Sequence, residues 1–498
     1  MKKTFLMIIL SCFMASSVMA VPYASQIRVG ETALAPGAGT SITYFVNQAG
    51  GTATIQIVEE ANPATVVATF AGTATKGVNT VTWDGTVDNA GGAALAVGKY
   101  RVKVTVAATA AAAWTEIASN SSVGNYIPAE NPTIYQTLWD GCSLMESLIS
   151  WNTDSDAFGY ILTSTSYSAP RIDGHVVFNP DLSTVDGADG QSTWLNFPGT
   201  SSNNTGVWGN CFDPDDDDYV WVCGQSVNTP VASVFYAKWN DVTLQNVTNG
   251  NADVSSARDI AVAKQGTSKI AYVTKGNAAI WACDVTAGQI ATTPAPINIL
   301  GLTKTTLYSK GVDFDASGNL YYTSRYDTAF TSGADAVVYR WDAATVAAAT
   351  AGSLTEANAS WEVTFPTGSS NAEGVAIDAD GNVYAAIINE GALDPANDGS
   401  LRGIYLIGNV SQATNKKQLS VSDRVYAFYG TTTGIFSGYG LGIACDLAGN
   451  IIYTDRNTEM VRMIGPGGNT SVAILGPLSQ TLEIAAPPLA ARMWEIYE

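Results

Sequence analysis

A chain of 498 residues exceeds what one compact core organises, so two or more folding units are expected. Only 14% of residues are charged, against 46% hydrophobic and 47 glycines, which points to turn-rich β structure rather than helical bundles. A net charge of −20 with no basic patch argues against nucleic acid and anionic lipid as partners, since both call for clustered Lys and Arg, and a lone histidine, His175, excludes multi-histidine metal sites.

In chain order, Lys2 and Lys3 precede an apolar run from Phe5 to Leu10 that continues through Cys12, Phe13 and Met14, and small residues lead to Val18-Met19-Ala20. A basic start, a short apolar core and an A-x-A-like end make a secretory leader, with cleavage expected after Ala20 and Val21 as the first mature residue. A lipoprotein leader cut at Cys12 is the alternative. The expected location is therefore extracellular, cell-surface or periplasmic. No later segment has 18 consecutive apolar residues, so no transmembrane helix is expected. Five cysteines follow the leader: Cys142, Cys211, Cys223, Cys283 and Cys445. Cys211 and Cys223 flank one predicted hairpin and are the candidate disulfide, with buried thiols as the alternative.

Between residues 21 and 115, short strand patterns alternate with turns. They are Ser41–Val46, Ala53–Val58, Val66–Phe70, Gly77–Trp83 and Gly98–Val106, several with period-two alternation. About 90 residues of such strands read as a β-sandwich. The Ala-rich stretch 107–113 and the Ser- and Pro-containing stretch after it read as a linker, placed at 116–135.

From 136 to 498 one segment recurs: Gly, two or three apolar residues, Asp, two loop residues, Gly-Asn, then an apolar-aromatic strand. Clear copies are Gly311–Tyr321, Gly374–Tyr384 and Gly442–Tyr453; degenerate ones begin at Gly209 and Asp259, and a faint sixth at Leu148. Gly and Asn tolerate positive φ and Asp caps the loop, so each copy predicts a tight hairpin. Spacing of about 50 to 68 residues fits one four-stranded propeller blade per copy. The fold class is all-β: an Ig-like sandwich followed by a propeller of six blades, with seven as the alternative. The strand around Trp494 is expected to close the ring.

Two resemblances sharpen this reading. Trp83-Asp84-Gly85 with Gly98-Lys99-Tyr100, and the Gly-rich loop between, resemble the Ig-like domain of the flagellar hook-capping protein and of many secreted bacterial proteins. That likeness implies a spacer or assembly module, with Trp83 as a core anchor and Tyr100 facing inward. The G-x-x-x-D-x-x-G-N-x-Y repeat resembles the NHL and SMP-30/gluconolactonase-like six-bladed propellers. In such propellers the residue before the repeat glycine lies at the channel mouth, which here nominates Trp208, Arg258, Lys310, Glu373 and, less regularly, Glu146 for ligand binding. The lactonase-like relatives hold a divalent metal on channel Glu, Asn and Asp side chains. Glu373 matches a late acidic ligand and Glu146 an early one, one residue out of register, while Arg258 and Lys310 oppose a metal electrostatically.

A second candidate is the acidic run Asp213, Asp215, Asp216, Asp217 and Asp218, which predicts either a solvated turn or a surface Ca²⁺ site. Exposed tryptophans such as Trp194, Trp208 and Trp361 are candidates for stacking on sugars. The functional expectation is a secreted or cell-surface non-enzymatic binding or scaffold protein with a protein or carbohydrate partner. The alternatives are a metal-dependent hydrolase or lactonase using the channel, and a self-associating subunit of an extracellular polymer.

Overall fold

The computed structural model describes residues 21–486 except 109–113, 120–142, 167–173, 184, 186–193, 197–206, 225–232, 241–244, 277–278, 304–306, 327–335, 367–368, 370–371, 388–400, 429–441, 456–459 and 467–470. Strands dominate, and the longest described helix, α1, is only Ala343–Ala347. Among the described residues no helix is long and apolar enough to cross a membrane.

The N-terminal strands are β1 (Ala24–Val29), β2 (Ala33–Leu34), β3 (Thr40–Val46), β4 (Ala53–Glu59), β5 (Val66–Gly72), β6 (Gly77–Trp83) and β7 (Gly98–Val106). They form two facing sheets, β1-β3-β6 and one containing β2, β7, β4 and β5. The alternation read from sequence is the physical cause: Ile42, Tyr44, Val46, Ile55, Ile57, Val102 and Val104 all turn inward to one core. Trp83 is fully buried in it, and its indole Nε1 donates to Thr86 O at 2.8 Å. Asp84 and Gly85 make the following turn, where Asp84 Oδ1 accepts from Thr86 N and Gly85 takes φ +82°. Tyr100 points inward and its hydroxyl donates to Ala96 O.

Six further sheets follow as blades. Blade 1 is β9 (Ser143–Ile149), β10 (Ile161–Ser166), β11 (Gly174–Phe178) and β12 (Trp194–Asn196). Blade 2 is β13 (Val207–Asp213), β14 (Asp216–Gly224), β15 (Val234–Lys238) and β16 (Gln245–Asn246), and blade 3 is β17 (Ala257–Gln265), β18 (Ser268–Lys275), β19 (Ala279–Asp284) and β20 (Ile297–Asn298). Blade 4 is β21 (Leu307–Phe314), β22 (Leu320–Tyr326), β23 (Val337–Trp341) and β24 (Trp361–Thr364). Blade 5 is β25 (Ala372–Ile377), β26 (Asn382–Ile387), β27 (Gly403–Asn409) and β29 (Arg424–Ala427); the intervening β28 (Asn415–Gln418) crosses to pair in parallel with β24 of blade 4. Blade 6 is β30 (Ile443–Cys445), β31 (Ile451–Asp455) and β32 (Met460–Gly465), with a fourth strand from elsewhere. The inner strands β9, β13, β17, β21, β25 and β30 touch in succession, and β30 returns to β9, so six blades close a ring.

The repeat turns explain themselves at atomic level. Asp378 Oδ1 accepts from the Asp380 and Asn382 amides, and Oδ2 accepts from Asn382 Nδ2 and the Tyr384 hydroxyl. Asp315 repeats all four bonds with Ser317, Asn319 and Tyr321. Gly381 and Gly318 sit at φ +78° and +81°, where a side chain is disfavoured. The repeat glycine at the inner strand serves a different need, close approach: a Cβ on Gly209 would meet Asp259, and one on Gly311 the Glu373 carbonyl.

Ring closure corrects two expectations. The closing strand is β8 (Thr115–Ser119), from inside the stretch read as linker, and it pairs antiparallel with β32. Trp494 lies outside the described residues. Arg462 Nη1 reaches both Glu116 carboxylate oxygens at 2.9 Å across the closure. In the opposite direction, β33 (Val472–Leu475) and β34 (Leu482–Ile484) leave the propeller and pair with β7, so the C-terminal segment completes the sandwich. The candidate disulfide also fails. Cys211 faces Trp221 and Cys223 faces Gly209 across the hairpin, and both are free thiols, as are Cys283 and Cys445; Cys142 is outside the described residues.

The closure predicts a measurable coupling. Glu116→Ala and Arg462→Ala, singly and together in a urea-denaturation cycle, should show a coupling energy of about 1 kcal/mol, because the pair is partly buried and one guanidinium nitrogen is shared between both carboxylate oxygens.

Candidate functional site: the central channel

A cavity of about 470 Å³ lies on the ring axis, walled by all six inner strands. Its lining includes the apolar Ile149, Ile260, Val312, Val375 and Ile443, together with Trp151 and the hairpin turns around Ser317 and Ala379. The exposed turn residues Ala316 and Ala379 put its opening at the hairpin end of the ring. The mouth nominated from sequence is the other end. Of those residues only Glu146 lines the cavity. Trp208 is buried, with the Arg258 guanidinium stacked 3.4 Å from its ring centroid, a cation–π contact that uses both groups structurally. Glu373 is buried on β25 next to Gly311, and its carbonyl accepts from Thr323 Oγ1. Lys310 falls on β21, but its side chain lies outside the described residues, as do those of Trp194 and His175.

The channel carboxylates hold blades together. Glu146 on blade 1 accepts from Asn210 N on blade 2 and hydrogen-bonds Asp259 on blade 3. Asp259 Oδ1 accepts from its neighbour Ile260 N at 2.7 Å, and its Oδ2 accepts from Val312 N on blade 4 at 2.6 Å. One hydrogen-bonded belt therefore crosses four blades. Burial, then the Asp259 charge, raises Glu146 well above the ordinary carboxylate range. Asp313 is the carboxylate left facing the cavity. Its Oδ1 accepts from Phe314 N at 2.7 Å, and burial pushes its pKa up to about 7.

This donor set does not fit a channel metal. Glu146 is committed to the belt and Glu373 lies at the opposite end of the ring from the cavity. Among the described residues no three His, Cys, Asp or Glu side chains are placed to hold a metal ion. The acidic run does not form a Ca²⁺ loop either. Lys269 of blade 3 contacts Asp213 and Asp215 at 3.0 and 3.1 Å, and Lys264 pairs with Asp215. Asp213 Oδ2 also accepts from Trp221 Nε1, while Asp216 Oδ1 accepts from Asp218 N. Asp217 accepts from Ser150 Oγ, and Asp218 from Ser155 Oγ and Asp156 N, on blade 1. The expected repulsion is relieved by two lysines and by neighbouring hydroxyls, so the run clamps blades 1, 2 and 3.

Sequence reasoning does not nominate Trp151, which falls in the faint repeat copy beginning at Leu148. The residue follows β9, is partly exposed at the cavity rim, and is held by an Nε1 bond to Cys445 O on blade 6 at 2.8 Å. Trp361, nominated for sugars, is instead fully buried between blades 4 and 5, with Nε1 on Gln412 O.

No protein-family model matches the chain, and no curated protein matches it either. Among solved structures it is similar to a structural-genomics protein of unknown function from Bacteroides thetaiotaomicron at 12% identity and TM-score 0.38, covering 91% of this chain and 98% of that one. It is also similar to a luciferin-regenerating enzyme at 13% identity and TM-score 0.33 (54% and 76% covered). A third is a calcium-binding regucalcin from Agrobacterium tumefaciens at 11% identity and TM-score 0.29 (50% and 66% covered). The propeller assignment rests on the six sheets themselves.

Asp313 gives a signed pH prediction. Its folded pKa lies above the unfolded value, so between about pH 4 and 7 the folded state binds more protons and stability falls as pH rises. Asp313→Asn should therefore stabilise the protein by about 4 kcal/mol at pH 8 and by much less at pH 4, read from urea midpoints across that range.

Proposed function

We propose that the protein is an exported binding protein, without catalytic chemistry of its own, that takes the end of a carbohydrate chain into the channel cavity on the hairpin face. The observation that carries this reading is the division of labour among the polar groups. Glu146 and Asp259 spend their lone pairs on one another and on backbone amides, whereas Asp313, Ser147 and Ser317 line a half-apolar cavity beneath a fixed indole. A sugar offers an apolar face for stacking and hydroxyls for such acceptors, and the tethered Trp151 is pre-organised for the first of these. A half-protonated Asp313 can both donate and accept near neutral pH, which suits hydroxyl partners.

The leader-like residues 2–20 support export. The likeness of Trp83-Asp84-Gly85 and Gly98-Lys99-Tyr100 to the hook-capping type of Ig-like domain supports a spacer or assembly role for the sandwich at a cell surface. The repeat's likeness to NHL and SMP-30-like propellers supports a ligand on the ring axis.

Calorimetric titration against a panel of oligosaccharides tests the reading. At least one should bind, and Trp151→Ala and Asp313→Asn should each weaken it tenfold or more, about 1.4 kcal/mol. Absence of any saccharide binding, or affinities untouched by both substitutions, would overturn it and turn attention to protein partners on the same face.

A further inference from the structure

The start of the sandwich meets the propeller at one polar point. Residues 21–25 are all buried, and Val21 is 1% exposed. Val21 N donates to Asn450 Oδ1 at 3.3 Å, and Asn450 Nδ2 donates both to Val21 O at 3.1 Å and to Asp446 Oδ2 at 2.7 Å. One amide side chain therefore bridges Val21 and the capping aspartate of the blade 6 turn. Asn47 from the sandwich holds the next residues, accepting from Tyr23 N at 2.8 Å.

Asp446 differs from its counterparts in blades 4 and 5. Asp315 and Asp378 each receive a tyrosine hydroxyl on Oδ2, from Tyr321 at 3.2 Å and Tyr384 at 3.0 Å. The position six residues after Asp446 is Ile452, and the tyrosine has moved on to Tyr453. The hydrogen bonds to the Asp446 carboxylate come from its own turn, through the Ala448 and Asn450 amides and Asn450 Nδ2; it is 1% exposed, and from the sandwich buried Tyr23 lies near enough to feel its charge. In blade 6 the segment beginning at Val21 reaches Asn450, whose Nδ2 is bonded to that carboxylate.

We propose that cleavage after Ala20 creates a donor: the new α-ammonium of Val21 seats beside Asn450 and pairs with the Asp446 carboxylate, locking the sandwich to blade 6. This rests on the export-and-cleavage reading given above. A buried ammonium and a buried carboxylate each need a counter-charge, and this geometry supplies one to both. With Val21 in a peptide bond, the capping acid has no cation, and burial pushes its pKa up to about 7. Processing would thus stabilise the fold by adding charge inside it, and the uncut chain would be the looser form.

The test uses two defined chains, one beginning at Val21 and one carrying Met19-Ala20 ahead of it, each with and without Asp446→Asn, in thermal melts at neutral pH. The N-terminus of the exported protein is determined in parallel by mass spectrometry. The chain beginning at Val21 should melt several degrees higher than the extended one, and Asp446→Asn should remove that difference. Asp378→Asn, the same turn position in blade 5, should lower both chains and leave the difference intact. Equal melting of the two chains, or a difference that survives Asp446→Asn, overturns the pairing. A first residue other than Val21 in the exported protein overturns the cleavage reading instead, and the melts on defined chains tell the two failures apart.

Discussion

The structure depends on how two open sheets lend each other their missing strands. Blade 6 supplies three strands of its own and takes the fourth, β8, from residues just after the sandwich. The sandwich takes β33 and β34 from residues just after the propeller. An unpaired strand edge exposes a row of backbone donors and acceptors, and both edges are satisfied here by exchange. Consequently neither unit is an independent segment of chain, and the boundary between them is crossed twice. Arg101 marks the joint: its guanidinium bonds Gly476 O in the C-terminal segment and Asp154 in blade 1.

Rigid closure shapes what the channel can offer. The inner strands crowd at the axis, so glycines at 209 and 311 admit a neighbour's side chain or backbone where any Cβ would collide. Into that crowded wall the fold places Glu146 and Asp259, and both accept backbone amides from the next blades. Acidic groups that look catalytic in a sequence are here bracing. The cavity lies at the hairpin end, bordered by Trp151.

The sandwich strands, the repeat turns and the all-β class were legible because they are local. Period-two alternation in Ala53–Val58 and the Asp-x-x-Gly-Asn turns at 315, 378 and 446 are each satisfied by residues within a few positions. The candidate site was barely legible. Its position depends on which end of the inner strands widens, and no local pattern encodes that. Trp208, Arg258 and Glu373 follow from register with the repeat glycine, at the end the cavity does not reach, and Trp151 falls in the faint copy beginning at Leu148, which has no repeat glycine to set its register.

The sequence by itself determined the class of structure, the periodicity of the blades and the excess of acid over base, because these follow from residue type and near-neighbour spacing. Tertiary structure alone decided the closing strand, the fate of the acidic run and the free state of Cys211 and Cys223. Each depends on groups hundreds or tens of positions apart: Glu116 with Arg462, Asp213 with Lys269, and the register that sets Cys223 against Gly209 rather than Cys211. Hydrogen bonds and ion pairs act over a few ångströms of space, and only the closed ring brings those partners within that reach.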